Sequence, residues 1–306
     1  MKTDELISEA LAGNPRALAR IVTHVADGDA TGQRLAAELY RSGGSASVMG
    51  VTGAPGAGKS TLVSGLVSVM RSQRDRIAVV AVDPSSPFTG GAILGDRIRM
   101  GQHADDPNVF IRSVANRGHL GGIAASTPAV TAALDGLGFP EIVIETVGVG
   151  QAEVEIAMAC DTTVVVVNPG WGDGIQAAKA GFLEVADVFV VNKADRPGVD
   201  ATVRDLTSML ELGPTMSWVP PIVCTVATES VGVDELWEAV TAHRSHLAAS
   251  GDDRHRRHRA ARHALVGVIR DRIEHSVGAV SDDVVDQLVS RSTDPWSVAD
   301  ALLPER

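Results

Sequence analysis

The sequence has few cysteines. Cys160 and Cys224 are the only two among 306 residues, too few and too far apart for a CxxC site or a disulfide framework. Both lie in or beside apolar runs, so we expect two buried free thiols.

The chain also lacks a long apolar segment and an excess of positive charge. No stretch provides the roughly 20 apolar residues that a membrane span needs, and residues 1–16 have no apolar core typical of a signal peptide. The net charge of −11 disfavours binding to nucleic acids and to anionic membranes. One basic run, RHRRHRAARH at 254–263, is interpreted as a charged helix face, with a metal or nucleic-acid role left open. We expect a cytoplasmic protein with no nucleic-acid or membrane partner.

Hydrophobic patterning divides the chain into three parts. Residues 1–42 show apolar residues at helical spacing and are predicted to be an N-terminal helical extension. Residues 43–250 alternate continuous apolar runs with helical segments, which predicts an α/β domain with a mostly parallel sheet buried on both faces. Residues 251–306 carry two apolar helical stripes and are predicted to be a helical arm. The predicted strands are 47–52, 77–83, 108–113, 141–146, 162–168, 187–193 and 221–227.

A phosphate-binding motif separates the first predicted strand from the next helix. GAPGAGKS at Gly53–Ser60 matches GxxxxGK[ST]. Backbone N–H groups of the glycine-rich turn and the helix N-terminus would surround phosphate oxygens. Lys59 would reach the β- and γ-phosphates, and Ser60 would bind Mg²⁺. The predicted nucleotide-binding residues here are Gly53, Ala54, Pro55, Gly56, Ala57, Gly58, Lys59, Ser60 and Thr61.

The motif NKAD follows the sixth predicted strand and indicates recognition of guanine. Asp195 can accept hydrogen bonds from the ring N–H and the exocyclic amine of guanine, donors that adenine lacks on that edge. The alternative is that Asp195 caps a helix. In the segment CTVA, which ends the last strand, a backbone N–H can meet the guanine oxygen. The residues assigned to the base are Asn192, Lys193, Asp195, Thr225, Val226 and Ala227.

Carboxylates at strand ends are candidates for binding magnesium and sensing the γ-phosphate. Asp83 ends the second strand, and Glu145 precedes Gly148 in an ExxG pattern. Asp96 lies in the glycine-rich segment 82–100, a predicted switch loop that becomes ordered when Mg²⁺ and the γ-phosphate bind its carboxylates. The alternative for Glu145 is a strand-end carboxylate in solvent. We predict Lys59, Asp83, Asp96 and Glu145 as catalytic residues, and Ser60, Asp83, Asp96 and Glu145 as metal ligands.

These motifs together resemble the MeaB/ArgK/MMAA family of P-loop GTPases over nearly the whole chain, through GAPGAGKSTL, VDPSS, TGGAILGDRIRM, ETVGVGQAE and NKAD. The resemblance implies a GTPase that chaperones an adenosylcobalamin-dependent acyl-CoA mutase, chiefly methylmalonyl-CoA mutase. GTP or GDP and Mg²⁺ would bind this chain, and cobalamin would belong to the partner. The resemblance also implies a homodimer through the arm 251–306 and a loop at 168–181 that couples nucleotide state to the mutase. Positions matching the switch and coupling residues are Arg99, Asp173, Gln176 and Lys179.

Two positions depart from the family pattern. The coupling loop usually reads DELQ, and here it reads DGIQ, with Gly174 in place of an acidic residue. Val226 stands before Ala227, where the family usually has serine. Two other functions stay open: a metal-delivery maturation GTPase, although a His-rich tail or paired cysteines are not convincing here, and a kinase or ATPase linked to amino-acid transport, for which no acceptor-substrate signature is present.

Slow hydrolysis by the isolated protein is a further expectation. No glutamine directly follows Gly148, where many GTPases position the attacking water, and Gln151 is three residues further on. Because the chemistry depends mostly on positioning and charge stabilisation, an incomplete site should be slow until a partner completes it.

Overall fold

The computed structural model describes most of the chain, namely residues 3–83, 101–115, 126–146, 152–170, 185–213, 216–277 and 280–302. Two compact units make up the chain, residues 1–260 and residues 261–306. Within the described ranges, no helix combines the length and the apolar character that a membrane crossing requires.

A seven-stranded sheet forms the centre of the first unit, in the order β3-β2-β4-β1-β5-β6-β7. Every neighbouring pair is parallel, which confirms the predicted α/β fold. The central strands are buried along their length, as expected when helices cover both faces. The strands are β1 (Ser47–Gly53), β2 (Ile77–Asp83), β3 (Val109–Ala115), β4 (Glu141–Glu145), β5 (Thr162–Val167), β6 (Val188–Asn192) and β7 (Ile222–Thr225).

Helices cover both faces of this sheet. One face packs against α4 and α8, and the other against α1–α3, α5, α6 and α7. The helices of the first unit are α1 (Thr3–Leu11), α2 (Pro15–Asp27), α3 (Ala30–Ser42), α4 (Lys59–Arg71), α5 (Thr127–Gly136), α6 (Ala152–Ala159), α7 (Val199–Leu212) and α8 (Val233–Ser250). A long helix, α9 (Asp252–Val277), begins in this unit, and α10 (Asp282–Val289) and α11 (Pro295–Leu302) follow in the second.

The N-terminal helices share a hydrophobic core with the sheet. The predicted apolar stripe of α2, which includes Ile21 and Val22, is buried in that core. Asn14 starts this helix by accepting hydrogen bonds from the backbone N–H groups of Arg16 and Ala17, and Pro15 occupies the first helical turn. The apolar spacing therefore predicted this helix correctly, and the structure adds the cap that defines where it begins.

Three carboxylates lie at the amino-terminal ends of the central strands, of which Glu141 and Asp187 are buried and Asp161 is partly buried. Glu141 binds Arg74 and Arg244, both at 2.9 Å. Asp161 accepts a hydrogen bond from the backbone N–H of β1 at Val48. The third, Asp187, is described below with the basic run. Each of these carboxylates has the partners that a buried charge requires.

The part of the basic run 254–263 that belongs to the first unit is bonded to the rest of that unit. Arg256 binds both carboxylate oxygens of Asp187, at 2.6 and 2.7 Å. Arg257 and Arg259 donate to the backbone carbonyls of Gly44 and Ala157. The start of α9 is therefore held to the amino-terminal edge of the sheet by charge-assisted hydrogen bonds.

The two cysteines differ in exposure. Cys160 is buried, as predicted, whereas Cys224 is exposed. The prediction was wrong for Cys224 because β7 is an edge strand of the sheet, so an apolar run there is covered less completely than a run in a central strand.

Candidate nucleotide-binding site

The predicted nucleotide-binding residues lie where several parallel strands end. The loop Gly53–Ser60 follows β1, Asp83 ends β2, Glu145 ends β4 and Asn192 ends β6. Because all strands run in one direction, these ends meet at one edge of the sheet, where ligands bind in open α/β folds. Residues up to 139 positions apart in the sequence are thus placed at one edge.

Glycine is required at two positions of the phosphate-binding loop. Gly53 and Gly58 have φ values of 137° and 91°, which side-chain-bearing residues rarely adopt. A Cβ atom on Gly53 would lie 2.0 Å from the carbonyl oxygen of Val166, and one on Gly58 would lie 2.5 Å from Nδ2 of Asn192. The loop therefore fits tightly against β5 and the guanine motif.

Lys59 lies inside the phosphate-binding loop. Its Nζ donates to the carbonyl oxygens of Gly53 at 2.9 Å and Ala54 at 3.1 Å, and the side chain is buried. Lys59 is also the first residue of α4. A helix N-terminus and an ammonium group in one loop form an arrangement that attracts phosphate.

Ser60 and Glu145, two of the predicted metal ligands, contact each other directly. The Ser60 hydroxyl donates to Oε1 of Glu145 at 2.6 Å, and both side chains are buried. Asp83 is also buried and ends β2, the strand beside β4. Hydroxyl and carboxylate oxygens are the ligands that Mg²⁺ prefers, so the residues present fit this ion.

Asn192 connects the guanine motif to two other segments. Its Nδ2 donates to the carbonyl oxygen of Ala57 at 2.7 Å. Its Oδ1 accepts from the hydroxyl of Thr225 at 3.0 Å and from the backbone N–H of Ala227 at 3.2 Å. This buried amide therefore holds the phosphate-binding loop and the CTVA segment in one arrangement.

The neighbouring residues of the NKAD motif have different environments. Lys193 adopts a positive φ of 60° and donates to the carbonyl oxygen of Gly56 at 2.6 Å. Asp195 is exposed, so solvent or a ligand can reach its carboxylate. The backbone N–H of Val226 is bonded within the chain, to Val231.

Five predicted switch and coupling residues fall outside the described part of the chain. They are Asp96, Arg99, Asp173, Gln176 and Lys179. Two further contacts lie beside the site and involve residues that no sequence motif contains. His103 is buried with Nε2 2.9 Å from the carbonyl oxygen of Ser64, and Gln102 donates to the Ser64 hydroxyl at 2.8 Å. These contacts hold the segment that follows the predicted switch loop against α4.

Comparison with known proteins identifies the family. Residues 15–282 match the family model described as methylmalonyl Co-A mutase-associated GTPase MeaB. The chain belongs to the MeaB family. This confirms the resemblance inferred from the motifs.

Two individual relatives and one solved structure are also similar to this chain. The chain is 43% identical over 308 residues to a putative GTPase of Pyrococcus horikoshii, covering 98% of this chain and 97% of that protein. It is 36% identical over 209 residues to the Mus musculus protein named methylmalonic aciduria type A homolog, mitochondrial, covering 67% of this chain and 50% of that one. A crystal structure of an LAO/AO transport system kinase has a TM-score of 0.72 at 25% identity, covering 98% of this chain and 96% of that one. The protein is therefore a P-loop GTPase that binds guanine nucleotide and hydrolyses GTP.

Proposed function

We propose that this GTPase is a chaperone that gates cofactor loading of an adenosylcobalamin-dependent acyl-CoA mutase and protects that enzyme, with methylmalonyl-CoA mutase as the partner. The observation that carries the proposal is membership of a family described as mutase-associated, across residues 15–282. The mouse relative, named for methylmalonic aciduria, supports the same partner. In this proposal the mutase holds the cobalamin and this chain acts in the cytoplasm.

In the proposed nucleotide cycle, Lys59 and the loop from Gly53 hold the phosphates, and Asp195 recognises guanine. Ser60, Asp83 and Glu145 would hold Mg²⁺, with Asp96 as a further ligand, and the bound ion would neutralise charge on the phosphate oxygens. The contact of 2.6 Å between Ser60 and Glu145 supports this assignment because it brings two hard oxygen ligands together. Water attacks the γ-phosphorus as the bond to the β-phosphate oxygen breaks, and GDP, hydrogen phosphate and one proton from the water are released.

Coupling to the mutase is assigned to Arg99 and to the segment 168–181, which contains Asp173, Gln176 and Lys179. Gly170, near the beginning of that segment, lies close to Gly198, three residues after the guanine motif, since a Cβ atom on Gly198 would lie 3.7 Å from the backbone nitrogen of Gly170. A change in the nucleotide site can shift the coupling segment only if GTP and GDP make different contacts with it. We assign those different contacts to the coupling residues.

A homodimer formed by the arm 251–306 is part of the same proposal. The apolar stripe predicted in this arm includes Leu265, Ile269 and Ile273, which are 59%, 48% and 41% exposed in the single chain. Val285 and Val289 on α10 are exposed as well. An exposed stripe of large apolar side chains on a helix is typical of a surface that another chain covers.

GTP turnover with and without purified mutase tests the proposal. The isolated GTPase should be well below the ~1 s⁻¹ typical of slower dedicated enzymes, and the mutase should accelerate it. Lys179→Ala should keep the GDP affinity and lose the acceleration, whereas Arg204→Ala, which removes an exposed cation on α7, should behave as wild type. Methylmalonyl-CoA mutase and a sister acyl-CoA mutase are assayed in parallel. Rapid turnover without a mutase, or no acceleration by either enzyme, would refute the chaperone assignment.

A further inference from the structure

Two threonine hydroxyls bind each other inside the sheet, next to the nucleotide site. Thr52 and Thr146 are 0% and 2% exposed, and their Oγ1 atoms are 2.9 Å apart. A hydroxyl buried without a partner is costly, so each threonine here satisfies the other. No motif in the sequence assigns a role to this pair.

The pair lies where β1 and β4 separate. Val51 and Glu145 are the last register partners of these strands, and the backbone N–H of Thr146 donates to the carbonyl oxygen of Val51 at 3.1 Å. Immediately afterwards, β1 enters the phosphate-binding loop at Gly53. The hydroxyl pair is therefore a side-chain link between the two strands at the point where one of them becomes the loop.

Thr146 is directly bonded along the chain to Glu145, whose carboxylate accepts the hydrogen bond from Ser60. Thr52 follows Val51 in β1, so its side chain lies on the face opposite Val51 and opposite Glu145, the register partner of Val51. The Thr146 hydroxyl bonds that of Thr52 and therefore lies on the same face as Thr52. The pair thus lies away from the metal ligands and acts on them only through the backbone. A shift of the Thr146 backbone would move Glu145 relative to Ser60.

We propose that the Thr52–Thr146 hydroxyl pair positions Glu145 against Ser60, and thereby tunes the Mg²⁺ dependence of nucleotide binding and GTP hydrolysis. Both threonines are positioning residues and are not among the residues assigned to the nucleotide or the metal. The inference rests on the proposed Mg²⁺ role of Ser60 and Glu145. It does not involve the mutase.

The chain offers a matched control at Thr163. This residue on β5 is also 0% exposed, and its hydroxyl has no hydrogen-bond partner among the described residues. Thr163→Val therefore makes the same chemical change in the same sheet without breaking a hydroxyl pair. Thr146→Val removes the pair at nearly constant volume, and Thr146→Ser keeps a hydroxyl.

The experiment measures release of a fluorescent GDP analogue across a Mg²⁺ titration, together with kcat and KM for GTP. Thr146→Val should raise the Mg²⁺ midpoint and lower kcat by roughly tenfold, the size expected for one buried hydrogen bond. KM should change little. Thr146→Ser and Thr163→Val should stay near wild type in both measurements.

Other outcomes would overturn the inference. A wild-type Mg²⁺ midpoint in Thr146→Val would show that the pair only stabilises the sheet, and an equal shift in Thr163→Val would show a general effect of losing a buried hydroxyl. If Thr146→Val fails to fold, the double variant Thr52→Val/Thr146→Val leaves neither hydroxyl unpaired and must show the same shift. If GDP release from the wild-type protein does not depend on Mg²⁺, the metal assignment itself is refuted. If the wild type depends on Mg²⁺ but the threonine variants do not differ from it, only the inference about the threonine pair is refuted.

Urea unfolding of the nucleotide-free protein provides an independent readout. The two single valine variants and the double variant form a cycle, and non-additive losses of stability are expected because the hydroxyls contact each other. Additive losses would show that the hydroxyls are not coupled, and the proposed positioning would then have no basis.

Discussion

The side-chain amide of Asn192 donates a hydrogen bond of 2.7 Å to the backbone carbonyl oxygen of Ala57. This hydrogen bond joins the guanine motif to the phosphate-binding loop, 135 residues away in the sequence, and Lys193 adds a second link through the carbonyl oxygen of Gly56. Gly58 follows Ala57 and approaches the same amide so closely that a Cβ atom would collide with it. A change in the position of the guanine motif should therefore also shift the phosphate-binding loop.

Asn192→Asp should weaken GDP binding although it changes few atoms. One carboxylate oxygen can still accept from Thr225 and Ala227, but the other replaces a donor and faces the carbonyl oxygen of Ala57. The lost hydrogen bond and the repulsion should cost roughly 1–3 kcal/mol of binding free energy, measured by calorimetric titration. Wild-type GDP affinity in this variant would mean that the link to Ala57 does not organise the site.

Gly58→Ala should reduce GDP affinity more than backbone strain alone explains. Gly13 is a matched control because its φ of 89° is close to the 91° of Gly58, while nothing lies within 4 Å of a Cβ atom on Gly13. Both alanine variants should lose stability, by about 1–2 kcal/mol for the left-handed backbone. Only Gly58→Ala should also lose GDP affinity, as shown by urea unfolding and nucleotide titration in parallel. Equal GDP affinities in the two variants would contradict the predicted contact with Asn192.

The sequence predicts the sheet well because strands buried on both faces are continuous apolar runs. All seven runs are strands in the structure, with bounds that differ from the predicted ones by at most two residues. Motif spacing also indicated Ser60 and Glu145 as residues of one site, and the structure shows them in contact. Sequence periodicity does not report strand order, however, so it missed that Cys224 belongs to an edge strand and is exposed.

Side-chain contacts between segments far apart in the chain could not be predicted from the sequence either. The hydroxyls of Thr52 and Thr146 meet only because β1 and β4 are neighbours in register. Arg256 binds Asp187 only because α9 begins at the amino-terminal edge of the sheet. A charge run or a threonine in a strand has many alternative partners, and only the tertiary arrangement selects one.

Asp195→Asn should shift the base preference from guanine toward xanthine. The amide presents a donor where guanine also presents one, whereas xanthine presents an oxygen there. Loss of the paired contact should weaken GDP binding by roughly 1–3 kcal/mol, with competition by xanthosine diphosphate as the measurement. Asp200→Asn, an exposed carboxylate in the first turn of α7, serves as the control. ATP binding to the wild type with GDP-like affinity would refute the assignment of Asp195.

His243 should make the protein less stable as the pH falls. This side chain is buried, with Nδ1 2.9 Å from the hydroxyl of Thr162 and Nε2 3.2 Å from a carboxylate oxygen of Asp187. Burial lowers the pKa of His243 from 6.5 to about 4, against the smaller upward effect of Asp187. In the unfolded chain the imidazole takes up a proton below its ordinary pKa of 6.5, while in the fold it stays neutral until about 4.

The contribution of neutral His243 to the free energy of unfolding is therefore fully present above the unfolded pKa, and it is lost progressively as the pH falls toward about 4. The slope cannot exceed about 1.4 kcal/mol per pH unit for one proton. Urea unfolding of wild type and His243→Gln between these limits measures it, with the difference between the two slopes as the readout. Parallel pH dependences of the two proteins would show that His243 titrates alike in the folded and unfolded states.

Truncation of the proposed dimerisation arm should have different effects at two cut sites. Removal of residues 261–306 leaves the compact unit 1–260, including Arg256 on Asp187. This protein should be monomeric by light scattering and should bind GDP as the full chain does, because every described residue of the nucleotide site precedes the cut.

Removal of residues 251–306 also deletes Arg256 and leaves the buried carboxylate of Asp187 without its strongest partner. That shorter protein should lose roughly 3–5 kcal/mol of stability, measured by urea unfolding. A dimer that persists without residues 261–306 would show that the arm does not hold the two chains together, and equal stability of the two truncated proteins would show that Arg256 contributes little to the first unit.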